Sequence, residues 1–234
     1  MREGYVTQPV LTAANENALL RSVYNWMMLG LLISGVVAYL AANSAGLQQI
    51  LFGNSVVIWI LLLGELGLVF AISGGVRTMS VSAASSLFLV FSILNGLTIS
   101  SIFLIYTSSS ITTTFLAAGL TFGATSFYGY VTKTNLSSLG KYLFMGLIGI
   151  IIASVANFFM RSSAISWLVS YLGIIIFVGL TAYDTQKIRR LGERITNPSE
   201  EQFGKIAIVG ALALYLDFIN LFLLFLMLFG RGRD

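Results

Sequence analysis

The chain has 234 residues, 57% hydrophobic and 9% charged, with a net charge of +4 and neither Cys nor His. A soluble domain carries about 25% charged residues, so this is an integral membrane protein with little mass outside the bilayer. The composition excludes disulfides, thiolate chemistry, zinc sites with Cys or His ligands, His-ligated haem and a histidine pH switch.

Residues 1–22 are polar and mixed, with Glu3, Pro9 and Glu16, and read as a short cytoplasmic tail. Seven apolar runs follow, at 23–42, 55–72, 83–106, 111–131, 142–160, 165–186 and 206–229. Runs of roughly 20 apolar residues predict spanning helices; barrel strands would alternate over about 10. The stretch Ala41-Ala42-Asn43-Ser44-Ala45 has the small residues of a cleavage site, but the run before it is as long as a true span. The fold class is therefore all-α, a transmembrane domain over 23–230 with residues 231–234 as a tail. The loops are short except 187–205, which holds Pro198 and the densest run of external charge.

Orientation follows from the basic residues. Arg2, Arg21, Arg77, Lys133, Lys141, Lys187, Arg189, Arg190, Arg194 and Lys205 fall on one side, and Arg161, Arg231 and Arg233 on the other. The richer side is expected to be cytoplasmic, which places the N-terminus inside and the C-terminus outside. Charges beside spans are this orientation signature and not a nucleic-acid footprint. Small-residue pairs at Gly30/Ser34, Gly119/Gly123 and Gly149/Ala153/Asn157 predict close helix packing within one chain.

Three acids interrupt the apolar runs: Glu65, Asp184 and Asp217. A charged acid at the bilayer centre costs about 2.5–3.5 kcal/mol on the insertion scale. No Lys, Arg or His shares the membrane interior with them, so each acid keeps its proton, shares one, or holds a cation. Asp217 lies 11 residues beyond Ile206, about 16 Å along a helix and near mid-membrane. Gly210, Ala213, Asp217 and Asn220 form one small, polar stripe, which is expected to face the bundle interior. Asp184 sits near the end of the sixth run, with Lys187 one turn on as a candidate partner. Consecutive helices are usually neighbours, so Asp184 and Asp217 are expected to meet. Two touching carboxylates cannot both ionise cheaply and titrate as a unit. Glu65 lies mid-span, and Arg77, 12 residues on, is about 18 Å away along a helix, too far for a direct pair.

The segments Gly179-Leu180-Thr181-Ala182-Tyr183-Asp184-Thr185-Gln186-Lys187-Ile188 and Leu214-Tyr215-Leu216-Asp217-Phe218-Ile219-Asn220-Leu221-Phe222 resemble the two signatures of the Bax inhibitor-1 family. Asn95-Gly96-Leu97-Thr98-Ile99 is similar to its bacterial inner-membrane members. The resemblance implies a seven-helix bundle with the last helix central. It also implies a pH-sensitive calcium leak with Asp184 and Asp217 as the sensor, and a family acid at Glu65. An arginine that some members place near the dyad maps onto Arg77, the candidate gate partner.

The leading expectation is a non-enzymatic cation leak channel in a bacterial inner membrane. Asp184 and Asp217 would form its gate, Glu65 and Asn220 would line its pathway, and calcium would contact the three acids as permeant ion. Carboxylates, Asn95, Asn157, Asn220 and tyrosine hydroxyls supply the oxygen-rich chemistry that calcium prefers. No cofactor is expected. The partners are the bilayer, cations and other membrane proteins, with no nucleic acid. Three alternatives compete. An intramembrane aspartyl protease would use the same pair, but Asp217 lacks a Gly-x-Gly-Asp context and there is no Pro-Ala-Leu motif. A proton-coupled transporter would use the acids but lacks inverted repeats and broken helices. A non-transporting regulator of membrane proteases would use the basic loop. A retinal protein would need a lysine within a span, and none is there.

Overall fold

The computed structural model describes residues 8–195 and 199–233. Arg2, Glu3 and Pro198 lie outside the described residues. The chain is helical almost throughout, in order α1 (Gln8–Ala42), α2 (Ala45–Gly53), α3 (Ser55–Gly75), α4 (Val81–Ile99), α5 (Ile102–Ile105), α6 (Ser108–Val131), α7 (Ser137–Met160), α8 (Ser163–Arg194) and α9 (Glu200–Phe229). The all-α class is as expected.

Several boundaries differ from the apolar runs. Helix α1 begins well before residue 23, because residues 10–22 contain neither Gly nor Pro to stop it. The charged stretch 187–205 is mostly helix instead of loop. Helix α8 continues to Arg194, whose charge suits a helix C-terminus, and α9 starts with Glu200 and Glu201 in its first turn. Ser199 caps α9 by accepting from Gln202 N at 3.2 Å. The third apolar run is broken at Ser100-Ser101 into α4 and α5. Helix α2 lies in a stretch without a predicted element and is capped by Ser44, which accepts from Leu47 N at 3.4 Å.

Among the described residues, six helices are long and apolar enough to cross a membrane: α1, α3, α4 with α5, α7, α8 and α9. Helix α6, the fourth predicted span, is not among the six. Its 24 residues include nine Ser or Thr and three Gly, which dilute its hydropathy.

The chain forms two compact units. The first comprises Met1–Ile99 and Lys187–Ala213. Helices α1 and α4 pack closely there, because Gly30 lies against Phe88 and Ser92, and Gly96 against the Ser34 backbone. Ser34 Oγ donates to Ser92 O at 2.7 Å across that contact, and Trp26 meets Phe88 edge-on at 6.3 Å. Outside the apolar stretch, the start of α1 is tied to the end of α8. Arg189 Nε pairs with Glu16 at 2.9 Å, and Asn15 Nδ2 donates to Ile195 O at 3.1 Å.

The second unit comprises Ser100–Gln186 and Leu214–Asp234. Gly146 and Gly179 let α7 and α8 approach through Ile176 and Leu143, and Gly173 receives Leu224 of α9. Phe115 and Phe122 of α6 pack edge-on against Phe218, at 5.2 and 5.6 Å between ring centres. The last residues fold back. Thr107 N donates to Arg231 O at 3.1 Å and Arg233 N to Ile105 O at 2.8 Å.

Packing corrects part of the small-residue reading. The Gly30/Ser34 pair does serve a helix contact. Gly119, Gly123 and Gly149 have nothing within 4 Å of where a Cβ would stand, so they open outward instead of packing within the chain. Gly129 is the α6 glycine that carries contact, with the Ala182 backbone directly over it. Gly129→Ala is therefore expected to destabilise the protein by about 1–3 kcal/mol through overpacking. Gly149→Ala is expected to be neutral or to stabilise by up to about 1 kcal/mol through helix propensity. Denaturant unfolding in detergent micelles reads both.

Candidate functional site

Asp184 stands in a turn of α8 that is buried on nearly every side. Thr181, Ala182, Asp184, Thr185, Gln186 and Ile188 are all buried, whereas Lys187 is exposed. A helical turn enclosed this way belongs inside protein and not against lipid. Its polar residues are each held by a neighbour. The Thr185 hydroxyl bonds that of Ser126 on α6 at 2.9 Å. Gln186 Oε1 accepts from Leu136 N at 2.9 Å, and Gln186 Nε2 donates to Thr134 O at 2.8 Å. The Thr181 hydroxyl turns back to Phe177 O at 2.8 Å.

Packing reinforces these bonds. Gly129 of α6 lies under Ala182, and Gly140 of α7 lies under the Tyr183 ring, 2.5 Å from where its Cβ would be. A Cβ at Gly129 would meet the Ala182 backbone and force a shift of α8, whereas one at Gly140 would displace the Tyr183 ring. The residues on either side of Asp184 thus fix the rotation and height of α8 against α6, α7 and the connection between them. Asp184 inherits a set direction from its neighbours.

Asp217 lies in the most enclosed part of α9, where no residue from 207 to 226 is exposed. The small, polar stripe is inward-facing as expected, but it does not distinguish one face, since the leucines and phenylalanines around it are enclosed too. Asp217 is 4% exposed, and its Oδ2 has no hydrogen-bond partner among the described residues. Asp184 and Asp217 belong to the same compact unit. Asn220, one turn on, is half-buried and donates to Leu216 O of its own helix at 2.7 Å.

Glu65 is served differently. It is buried on α3, and its two carboxylate oxygens accept from two side chains of α4. Asn95 Nδ2 donates to Oε2 at 3.0 Å, and the Thr98 hydroxyl donates to Oε1 at 2.5 Å. The sequence alone identifies no partner for Glu65. The structure supplies two, on the segment singled out for its family resemblance. Arg77 is exposed in the turn after α3, and Glu65 draws on α4 in place of it.

Among the described residues, no group of three or more Asp or Glu side chains could hold a metal ion. A calcium contact would thus rest on fewer carboxylates, completed by carbonyl, hydroxyl or water oxygens. The residues that sequence reasoning missed are Ser126, Gly129, Gly140, Thr185 and Gln186. Their signal was present: hydroxyl, amide and glycine residues within or beside apolar runs, where an unpaired polar group is costly.

Comparison with known proteins covers most of the chain. A family model described as "Inhibitor of apoptosis-promoting Bax1" matches residues 16–234. The chain is 47% identical over 232 residues to the inner membrane protein YbhL of Escherichia coli K12, covering 99% of this chain and 98% of that one. It is 46% identical over 219 residues to a protein of Borreliella burgdorferi, covering 94% of each. It is 36% identical over 218 residues to a membrane protein of Streptococcus pyogenes, covering 92% of this chain and 93% of that one.

The Glu65 contact gives a direct test. Asn95→Leu leaves a buried carboxylate short of a donor and is expected to cost about 1–3 kcal/mol. Adding Glu65→Met to Asn95→Leu removes the orphaned acid and is expected to recover most of that loss. A double-mutant cycle read by unfolding in micelles measures the coupling.

Proposed function

The chain belongs to the Bax inhibitor-1 family, and from that premise we propose that it is a pH-sensitive leak channel. It would pass calcium or another cation across a bacterial inner membrane, gated by Asp184 and Asp217. The observation that carries the reading is the buried Asp217 Oδ2, left without a hydrogen-bond partner among the described residues, in the unit that also holds the buried carboxylate of Asp184. A lone buried acid is usually satisfied as Glu65 is, by neutral donors. An acid left without such donors suits sharing a proton with a second acid.

The mechanism follows from that chemistry. One proton shared between the two carboxylates bonds α8 to α9. A second proton, or the loss of the first, alters that bond, so the contact between the helices depends on pH. The anchors at Thr185 and Gln186 hold α8, which leaves α9 as the element that responds. Glu65 and Asn220 are assigned to the pathway, where oxygen ligands replace part of the ion's hydration shell. Calcium is the cargo and not a resident cofactor, and no residue is assigned a catalytic role. Arg77 is assigned to the membrane edge, where its stem lies along the apolar surface and its charge meets phosphate.

The same proposal includes α6 as a seventh span and α9 at the bundle centre. Half of the most apolar window of α9 is buried, compared with 39% or less for the other five candidate spans. The excess of basic residues on one side supports a cytoplasmic N-terminus and a periplasmic C-terminus.

Calcium flux from proteoliposomes, measured across a pH series, tests the gate. Asp184→Asn and Asp217→Asn are each expected to flatten the pH profile while leaving a leak, because a carboxamide keeps the shape but does not titrate. If both variants kept the wild-type profile, the pair would not be the sensor.

A further inference from the structure

The residues after α9 close a junction between two other helices. Helix α9 ends at Phe229, and Gly230 N donates to Leu226 O at 2.8 Å to complete its last turn. The Tyr106 ring lies over Gly230, where a Cβ would meet both that ring and the Leu226 carbonyl. Glycine is what lets the chain turn there. Residues 231–233 then lie across the α5–α6 connection in four hydrogen bonds. Thr107 N donates to Arg231 O at 3.1 Å, Arg231 N to Ser110 Oγ at 2.9 Å, Arg233 N to Ile105 O at 2.8 Å, and the Arg233 guanidinium to Phe103 O at 2.8 Å. Phe103 and Ile105 carry two of the last carbonyls of α5, and Thr107 caps α6. The strap thus serves helix ends whose backbone groups have no partner within their own helix.

Helix α6 connects this strap to both acids within one compact unit. Ser110 holds the strap at the start of α6. Phe115 and Phe122 meet Phe218, the neighbour of Asp217, and Phe115 also meets Phe222 edge-on at 5.7 Å. Further along, Ser126 bonds Thr185 at 2.9 Å and Gly129 lies under the Ala182 backbone, on either side of Asp184. One helix is the common reference for α9 and for the acid-bearing turn of α8. The contacts differ in what they fix. Apolar packing is non-directional and yields to a small slide of α9 along its axis, whereas hydrogen bonds have a set length and angle. Asp217 and Gly230 are 13 residues apart, about 20 Å along a helix, and a helix carries a displacement of its end to every residue along it.

We propose that Ser110, Arg231 and Arg233 are positioning residues for the gate. Their strap fixes the height of α9 on α6, and with it the level of Asp217 against Asp184. The proposal rests on the gate reading above. A slide of about 1 Å is enough to break a hydrogen bond between carboxyl groups, so a loose strap blunts the response to pH even where the helices stay packed.

A disulfide across the strap tests this, because the chain has no cysteine to compete. Tyr106 and Gly232 are paired between the bonds that flank them, an antiparallel geometry with Cα atoms about 4.5 Å apart and within disulfide range. Among the described residues, the nearest atom to a Cβ on Gly232 is Ile105 O, at 3.7 Å. The full chain carrying Tyr106→Cys, Gly232→Cys and Ser110→Ala is placed in proteoliposomes, and calcium flux is followed across a pH series in the reduced and oxidised forms. The reduced form is expected to leak about fivefold more than wild type at the pH where the wild type is most closed, the factor that one lost hydrogen bond carries. Oxidation of the same protein is expected to restore the wild-type profile. Arg233→Pro, which lacks both Arg233 donors, is expected to match the reduced form. The proposal is overturned if the reduced form follows the wild-type profile, if the disulfide does not form, or if it forms without restoring the profile. Strap variants that match wild type while Asp184→Asn and Asp217→Asn flatten the profile remove this proposal alone. A wild type whose flux does not vary with pH removes the gate and the strap's role together.

Discussion

A carboxyl group in an apolar interior has few stable forms, and that constraint organises this protein. It must receive hydrogen bonds, hold a proton, or stand beside a cation, because an isolated charge there is costly. Glu65 takes the first course: Asn95 and Thr98 of α4 occupy both of its oxygens. Asp217 does not, since its Oδ2 has no hydrogen-bond partner among the described residues. One chain therefore contains a buried carboxylate whose two oxygens accept from neutral donors and another with one oxygen left without a hydrogen-bond partner among the described residues.

Much of the second unit can be understood as support for that placement. The bonds from Thr185 to Ser126 and from Gln186 to Leu136 and Thr134 pin α8 on either side of its acid-bearing turn. Gly129 and Gly140 permit the close approach that makes those bonds reachable. Conversion of Gly129 to a larger residue would press on the Ala182 backbone and move Asp184 with it. Positioning here depends on many modest contacts, each worth about 1 kcal/mol, and not on any one strong bond.

The sequence was most legible where a residue type conflicts with its surroundings. Apolar runs located the main helices, and acids within those runs pointed to buried positions. Hydropathy was silent on helices that continue into water, so the start of α1 and the end of α8 extend beyond their apolar runs; only the lack of breakers and the charges at their ends mark them. Partners far apart in the chain were also invisible. Asn95 and Thr98 are 30 and 33 residues from Glu65, and no local pattern joins them. Glycine spacing was ambiguous for a physical reason: it reports a missing Cβ but not what stands opposite. Gly30 faces Phe88, whereas Gly149 faces open space.

The central claim is that the protonation of Asp217 depends on Asp184. Infrared difference spectroscopy on the protein in vesicles, with pH as the perturbation, reads it most directly. The account predicts a protonated-carboxyl band that titrates in the wild type, is lost in Asp217→Asn, and titrates at a different pH in Asp184→Asn. A band assigned to Asp217 that titrated identically with and without the Asp184 carboxylate would contradict it.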